Sequence, residues 1–395
     1  MTTVTRSNRY HIAIFGRRNA GKSSLVNCIA GQAVSIVSDV AGTTTDTVWK
    51  SIELPGVGAA VIADTAGFDD AGELGAMRVD AARRVLARAD VAILLLGEYD
   101  GDASLEKEWL AQIREQQLPL VLVAGKCDKE SAPESVAMWQ KELGGDVIPF
   151  SAVTGEGRDA LLARIAWLYV QDDNLDDITH SLVKSGDVVV LVMPQDASAP
   201  KGRIIQPQVQ TLRNLLDKHC IPLCCVPEEL PHLLESLVAP PQLIITDSQV
   251  FAMVEKLTPP ETKLTSFSVL MARHKGDIDA FRSGAKVLLA LPPTARVLIA
   301  EACSHIPQNE DIGRVKLPRL LRSKLGDGLQ IDVVGGYDFP DDLVGYDIVI
   351  HCGACMFNRR TVLSRVRQAK AQAVPITNYG IAIAALSGIL DRVVL

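Results

Sequence analysis

Gly16-Arg17-Arg18-Asn19-Ala20-Gly21-Lys22-Ser23 reads as G-x-x-x-x-G-K-S, standing directly behind the apolar run His11 to Phe15 and ahead of an amphipathic segment. Strand, glycine-rich loop and helix in that order form a phosphate cradle. The glycines let backbone N–H groups wrap an anion, and the helix N-terminus adds its partial positive charge. Lys22 is placed to neutralise β- and γ-phosphate charge and Ser23 to ligate magnesium, with Gly16, Asn19, Gly21 and Ser24 as the remaining expected contacts. The stretch decides the fold of everything around it: a P-loop needs an open, mostly parallel α/β sheet.

Working outward, further pieces follow in the order a guanine-nucleotide domain requires. Gly42-Thr43-Thr44-Thr45-Asp46 supplies a switch threonine for magnesium, assigned to Thr44. Asp64-Thr65-Ala66-Gly67 supplies the strand-end aspartate and the glycine that senses the γ-phosphate. Gly125-Lys126-Cys127-Asp128 corresponds to the base-reading N-K-x-D, and Ser151-Ala152-Val153 to S-A-K. Asp128 can accept both guanine donors, so GTP is expected over ATP, with Lys126, Ser151 and Ala152 beside it. Gly125 in place of asparagine and Val153 in place of lysine are expected to lower guanine affinity. Phe68 follows the aspartate motif where many small GTPases keep a water-orienting glutamine, so hydrolysis is expected to be slow. Asn19 and the threonine-rich switch resemble those of TrmE-Era-type GTPases, a subset of which bind potassium through that asparagine. A cation held there would neutralise charge as an arginine finger does.

Composition bounds the rest. Of the 395 residues 48% are hydrophobic, yet the longest apolar runs, Val91 to Leu96 and Val188 to Met193, fall far short of the roughly 18 residues of a spanning helix. No positively charged leader precedes Gly16, so a cytoplasmic protein without a membrane association is expected. The net charge of -7 is uneven, because residues 271–395 hold 16 Lys and Arg against 12 Asp and Glu, or +4, leaving -11 elsewhere. That mild excess contains no dense basic run, and nucleic acid is not an expected partner.

Alternating strand-like runs and amphipathic segments continue to the C-terminus. The expected class is α/β, with a P-loop GTPase domain at 1–172 followed by two smaller α/β domains at 180–268 and 271–395, the first break falling in the polar stretch Gln171 to Thr179. In the middle domain Val188 to Val192, Pro222 to Val226, Leu243 to Thr246 and Leu264 to Val269 read as strands. A helix from Pro207 to His219 gathers Val209, Leu212, Leu215 and Leu216 on one face, the pattern of ordinary core packing. In the last domain Arg296 to Ala300, Gln330 to Val334, Asp347 to Ile350 and Val374 to Thr377 read as strands, and Ile278 to Leu291, Lys316 to Leu325 and Asn358 to Ala371 as helices.

Two clusters then stand out, Cys303-Ser304-His305 and His351-Cys352-Gly353-Ala354-Cys355. Each directly follows an apolar run, Val297 to Ala300 and Ile348 to Ile350, and so sits at the carboxyl end of a strand, where open α/β folds bind ligands. Eight cysteines in a reducing compartment point to metal or catalytic use where they cluster. Cys28, Cys127, Cys220, Cys224 and Cys225 do not, and read as small hydrophobes. Three thiolates plus an imidazole satisfy tetrahedral zinc, whereas three thiolates on a four-iron, four-sulfur cluster leave the fourth iron open. Spacing alone does not choose between them.

Taken together, C-x-H followed several tens of residues on by H-C-x-x-C, behind a TrmE-Era-like G domain and a small middle domain, resembles the HydF-type maturation GTPases of FeFe-hydrogenases over the whole chain. The resemblance implies a scaffold or carrier. Cys303, Cys352 and Cys355 would hold a 4Fe-4S cluster beside which a di-iron precursor is assembled or held, with radical-SAM maturases as donors and apo FeFe-hydrogenase as recipient. His305 and His351 would be labile ligands or neighbours of the precursor, His351 being the preferred fourth ligand. A homodimer through the middle domain is also implied. The rival reading is an RNA-associated assembly or modification GTPase with a structural zinc site; the surplus of ligands over what a closed zinc site needs stands against it.

Overall fold

The computed structural model describes residues 9–31, 48–65, 67, 73–171, 177–195, 204–302 and 311–395. The chain divides into two compact units, Met1–Asp173 and Asn174–Leu395.

The first unit runs β1 (Tyr10–Phe15), α1 (Lys22–Ala30), β2 (Val48–Leu54), β3 (Gly58–Asp64), α2 (Glu73–Leu86), β4 (Val91–Leu96), α3 (Ser104–Glu115), β5 (Leu120–Ala124), α4 (Ala132–Leu143), β6 (Val147–Pro149) and α5 (Arg158–Val170). Its sheet is ordered β2-β3-β1-β4-β5-β6, parallel except for β2. Every residue of β1 and β4 is buried, as expected of central strands covered on both faces. β2 is the element absent from the sequence reading. It pairs antiparallel with β3, Leu54 opposite Gly58, and its inward residues Ile52 and Leu54 alternate with polar ones as in a half-buried edge strand. Register sets the nucleotide site: Ile14 lies opposite Asp64, and Phe15 opposite Leu94, so the P-loop leaves β1 beside the end of β3.

The second unit holds two four-stranded parallel sheets. The first is built from β7 (Val188–Val192), α6 (Gln206–Asp217), β8 (Ile221–Cys225), α7 (Leu230–Ser236), β9 (Leu243–Thr246), α8 (Phe251–Leu257) and β10 (Lys263–Ser266), in the order β10-β9-β7-β8. Next come α9 (Phe267–Lys275) and α10 (Ile278–Leu288), then β11 (Arg296–Ala300), α11 (Leu317–Leu325), β12 (Gln330–Val334), β13 (Ile348–His351), α12 (Arg359–Ala371), β14 (Ile376–Asn378) and α13 (Tyr379–Leu386), ordered β12-β11-β13-β14.

One buried cluster joins the two sheets, running from Val190, Ile244 and Leu264 through Val269 and Ala272 to Leu298, Val349 and Ile381. The apolar run Leu264 to Val269, expected as a single strand, divides at Ser266. Its hydroxyl accepts the Val269 N–H at 3.2 Å and caps α9, a helix the sequence reading did not separate. The C-terminal residues return to this sheet: Val393 bridges Leu264, and the Val394 N–H donates to Leu264 O at 2.9 Å. They cover the β10 edge. Among the described residues, β8 has a strand neighbour on one side only.

The helix expected to bury Val209, Leu212, Leu215 and Leu216 does so only in part. Leu215 is fully buried, but Val209 and Leu216 are 44% and 48% exposed. The inward face instead carries Gln208, Thr211 and Asn214, whose polar atoms are matched by Asp247, Pro207 O and Thr179. Hydrogen-bonded polar groups tolerate burial, and this frees an apolar stripe to face outward.

Candidate functional site

In the first unit the P-loop is shaped by close approach and by backbone handedness. A Cβ on Gly16 would run into the Leu95 carbonyl of β4, and Gly21, at φ +104°, takes a conformation that side chains rarely adopt before Lys22 opens α1. Asn19 sits in the left-handed region at φ 60°, which asparagine tolerates better than most residues. The buried Lys22 folds back, its Nζ donating to Gly16 O at 2.9 Å and Arg17 O at 2.8 Å. Ser23 Oγ donates to Asp64 Oδ2 at 2.6 Å. The expected magnesium ligand Ser23 is thus already in contact with the strand-end aspartate. Gly67 is buried close behind them in sequence, while Thr44, Ala66 and Phe68 lie outside the described residues.

Arg17 was not singled out from the sequence, yet it anchors the loop. Its Nε and Nη2 donate to the two carboxylate oxygens of the buried Glu106 at 2.7 and 2.8 Å, and Nη1 reaches Asp100 at 3.0 Å. This fork ties the P-loop to α3, and the Glu106 bond raises the guanidinium pKa further. A residue 89 positions away gives no local signal of such a pair.

At the base-reading end, Ser151 Oγ donates to Asp128 Oδ1 at 2.7 Å and in turn accepts the N–H groups of Val153 and Thr154, both at 3.2 Å. That bond, first of all, holds the exposed Asp128 carboxyl below the usual carboxylate range, leaving it ionised to accept donors. Lys126, exposed, takes the left-handed conformation at φ 62°. Ala152 and Val153 are exposed. Gly125 has a geometric reason. A Cβ there would lie 3.1 Å from Ala20 O and 3.3 Å from Leu95 Cδ1, so the base loop and the P-loop touch where asparagine would stand between them.

In the second unit β13 delivers His351, Cys352 and Cys355 to the carboxyl edge of its sheet, and Ala354 turns the loop through the left-handed region at φ 53°. Cys352 Sγ accepts two backbone N–H groups, from Ala302 at 3.0 Å and Ala354 at 3.4 Å. Ala302 precedes Cys303, and Cys303 and His305 lie outside the described residues. Among the described residues no three His, Cys, Asp or Glu side chains gather as a metal site; Cys352 and Cys355 share the loop that follows β13, and the His351 ring points to Cys352 O and Arg365. The donor set nevertheless suits a cluster: N–H bonds to sulfur stabilise a metal-bound thiolate. Without metal, burial first and then Cys355 push the Cys352 thiol up to about 11, so metal would have to displace its proton.

His351 is 1% exposed. Its Nδ1–H donates to Cys352 O at 2.9 Å and its Nε2 accepts from Arg365 Nη1 at 3.0 Å. Burial, then Arg365, lower its pKa to about 3, keeping the ring neutral. Arg365 is itself buried, its guanidinium carbon 4.6 Å from the ring centres of both Phe339 and Phe357, with Nη2 donating to Gly336 O at 2.6 Å. Helix α9 supports the same loop from beneath. At one end Ser268 Oγ meets Asn378 and the Gly380 N–H, and Asn378 Nδ2 donates to Cys352 O at 3.1 Å. At the other, the buried Lys275 donates to Ala354 O at 3.0 Å and Phe357 O at 2.8 Å.

The comparisons with known proteins divide along the same lines. Residues 11–126 match the family model of the 50S ribosome-binding GTPase, 178–276 the hydrogen maturase F dimerization domain and 279–395 the hydrogen maturase F tetramerization domain. Among curated proteins, the tRNA modification GTPase MnmE of Laribacter hongkongensis is 37% identical over 162 residues, 40% of this chain and 35% of that protein. MnmE of Nitrosomonas europaea is 35% identical over 164 residues, with the same coverage. The chain thus spans about a third of the length of these relatives. Among solved structures, Aquifex aeolicus Era bound to GDP and aluminium fluoride is 22% identical with a TM-score of 0.34, over 55% of this chain and 92% of that one. The FeoB G domain of T. maritima is 24% identical with a TM-score of 0.32, over 40% and 98%. With two adjoining hydrogen maturase F domains behind a TrmE/Era-like G domain, the chain belongs to the hydrogen maturase F family of maturation GTPases.

Proposed function

We propose that this protein hydrolyses GTP and serves as a scaffold and carrier that holds a 4Fe-4S cluster and passes the di-iron precursor of the hydrogenase active site to apo FeFe-hydrogenase. The observation that carries the reading is Cys352: its sulfur accepts two backbone N–H groups in an H-C-x-x-C loop at a strand end, inside a hydrogen maturase F domain.

Cys303, Cys352 and Cys355 are the proposed cluster ligands. The cluster would supply iron with one exchangeable coordination position. Of the two roles open to His351, the geometry supports the neighbour over the ligand, because both ring nitrogens are engaged by Cys352 O and Arg365. His305 remains a candidate for the fourth position. In the G domain Lys22 would stabilise phosphate charge, Ser23 and Thr44 would hold magnesium beside the strand-end Asp64, Gly67 would sense the γ-phosphate, and Asn19 would bind potassium. Asp128 would read guanine, with Lys126, Ser151 and Ala152 around it. Nucleotide state would bias partner contacts through differential affinity, with radical-SAM maturases as donors and the cytoplasm as the site of action.

Dimerisation is proposed through the middle sheet. Its β10 edge is covered by the chain's own C-terminal residues, whereas the β8 edge shows Ile221 52% exposed next to the outward stripe of α6. A three-domain division at 1–172, 180–268 and 271–395 is proposed with it, the last two domains sharing one core within the second compact unit.

The deciding experiment is anaerobic purification and reconstitution, followed by iron, sulfide and zinc analysis with visible absorption. About four irons per chain support the reading. Stoichiometric zinc without iron sinks it and favours the RNA-associated GTPase with structural zinc.

A further inference from the structure

Lys275 is a lysine in the wrong place for ordinary packing. It ends α9, a helix whose Phe267, Val269, Leu270, Met271 and Ala272 are buried, and it is itself only 4% exposed. Burial of an ammonium is unfavourable unless partners offset it, and a methionine would fill the same volume without that cost. The hydrogen bonds it makes go to Ala354 O and Phe357 O, one carbonyl inside the C-x-x-C loop and one two residues beyond Cys355. Burial lowers its pKa to about 8, and the charges that oppose this are those of Cys355 and Cys352. The ammonium is therefore seated under the loop that carries both thiols, with that loop's carbonyls taking its hydrogen bonds.

We infer that Lys275 is a positioning residue with two roles: it holds the Cys352–Cys355 loop in its ligating conformation, and it supplies the buried positive charge that offsets the cluster thiolates. The inference rests on the cluster reading above. An added electron on a thiolate-bound cluster is stabilised by a nearby buried cation, since reduction potential follows net charge and solvent exposure. Because α9 starts from β10, the same residue connects the middle sheet to the loop. Ser268 at one end of the helix and Lys275 at the other bracket Cys352 to Phe357.

The test compares wild type, Lys275→Met, Lys275→Gln and Lys275→Arg after reconstitution, by EPR-monitored redox titration and by the rate of iron loss to a chelator. Gln keeps a donor for the loop carbonyls and loses the charge; Met loses both; Arg keeps the charge. The expected result is a more negative potential in both neutral variants, by at least a tenfold change in the reduction equilibrium, about 59 mV for one electron. Arg should stay near wild type, and iron loss should be fastest in Met. Equal potentials in wild type and the Gln variant overturn the charge role. Equal iron retention in wild type and Met overturns the positioning role. If Met fails to fold, the Gln and Arg potentials decide. Wild type that binds no iron fails the cluster reading itself, a result distinct from a loaded wild type matched by its variants.

Discussion

Arg365 donates from Nη1 to Nε2 of His351 across 3.0 Å, joining a buried guanidinium to a buried, neutral imidazole directly beside the first cysteine of the C-x-x-C loop. The pair assigns the tautomer, with the proton on Nδ1 bonded to Cys352 O. It leaves His351 able to orient the loop while both its nitrogens are in use. His351→Ala is therefore expected to keep the cluster, shift its EPR spectrum and weaken iron retention about 10- to 100-fold, as outer-shell partners do. Cys352→Ala should lose the cluster outright. Loss of all iron in the His351 variant would make it a ligand after all.

For the nucleotide site, Lys22→Ala should lower GTP hydrolysis by about 10²–10³-fold, the scale of removing one preorganised electrostatic partner, and leave iron content unchanged. Asn19→Ala should abolish stimulation by potassium relative to sodium. Equal rates in the two salts for the wild type would give Asn19 another role.

Restoring the common motif by Gly125→Asn is expected to fail as a repair. The new Cβ would meet Ala20 O at 3.1 Å and Leu95 Cδ1 at 3.3 Å, pressing on the P-loop. The cost should be about 1–3 kcal/mol of stability, typical of overpacking, with no gain in GTP affinity. Thermal melts and titration with a fluorescent GTP analogue check both; tighter binding at unchanged stability would contradict the contact.

Leu216→Glu on α6 and Ile221→Glu on β8 place a charge on the exposed apolar stripe and on the sheet edge that has no further strand among the described residues. Each should weaken self-association by roughly tenfold or more, the worth of one well-buried aliphatic side chain, while a Glu at Val344, exposed in the other sheet's domain, should not affect dimers. Light scattering after gel filtration reads the mass directly.

Stability should fall in mild acid because of His274. Burial, then Lys275, His180 and Arg359, lower its pKa to about 4, and its Nδ1 is buried without a hydrogen-bond partner. A histidine depressed in the folded state favours folding in full above its unfolded value near 6.5 and loses that contribution as pH drops towards 4. The contribution is on the order of 3 kcal/mol at most. His274→Gln should flatten denaturation midpoints between pH 6.5 and 4 relative to wild type; parallel curves would assign the acid sensitivity elsewhere.

How much was legible beforehand follows from the range of each interaction. Gly16 to Ser23 announced their fold because a phosphate loop is local: a strand, two glycines and a helix start suffice, and β1, β4, β5, β7, β9, β11 and β12 follow from apolar runs of the same short range. The cluster motifs were likewise readable as residue types at the ends of strands. Where one run served two elements, as at Ser266, only a hydrogen bond to Val269 divides strand from helix, and hydropathy does not report it. The outward stripe of α6 is illegible in the sequence for a similar reason, since the polar residues that go inward do so through Asp247 and Thr179, distant in sequence.

What the tertiary structure alone decided is the wiring around each site. Arg17 with Glu106, Arg365 with His351, and Lys275 with the carbonyls of Ala354 and Phe357 are pairs separated by 14 to 89 positions. A single charged residue in a helix looks the same to the sequence whether it faces water or a buried partner. Only folding sets the burial that makes such a charge costly, and with it the partner that makes it tolerable. The sequence by itself therefore determined the chemistry on offer, a phosphate loop and two strand ends bearing cysteine and histidine, while packing determined which nitrogens are occupied, which edge of the middle sheet the C-terminal residues cover and which cation stands behind the Cys352–Cys355 loop.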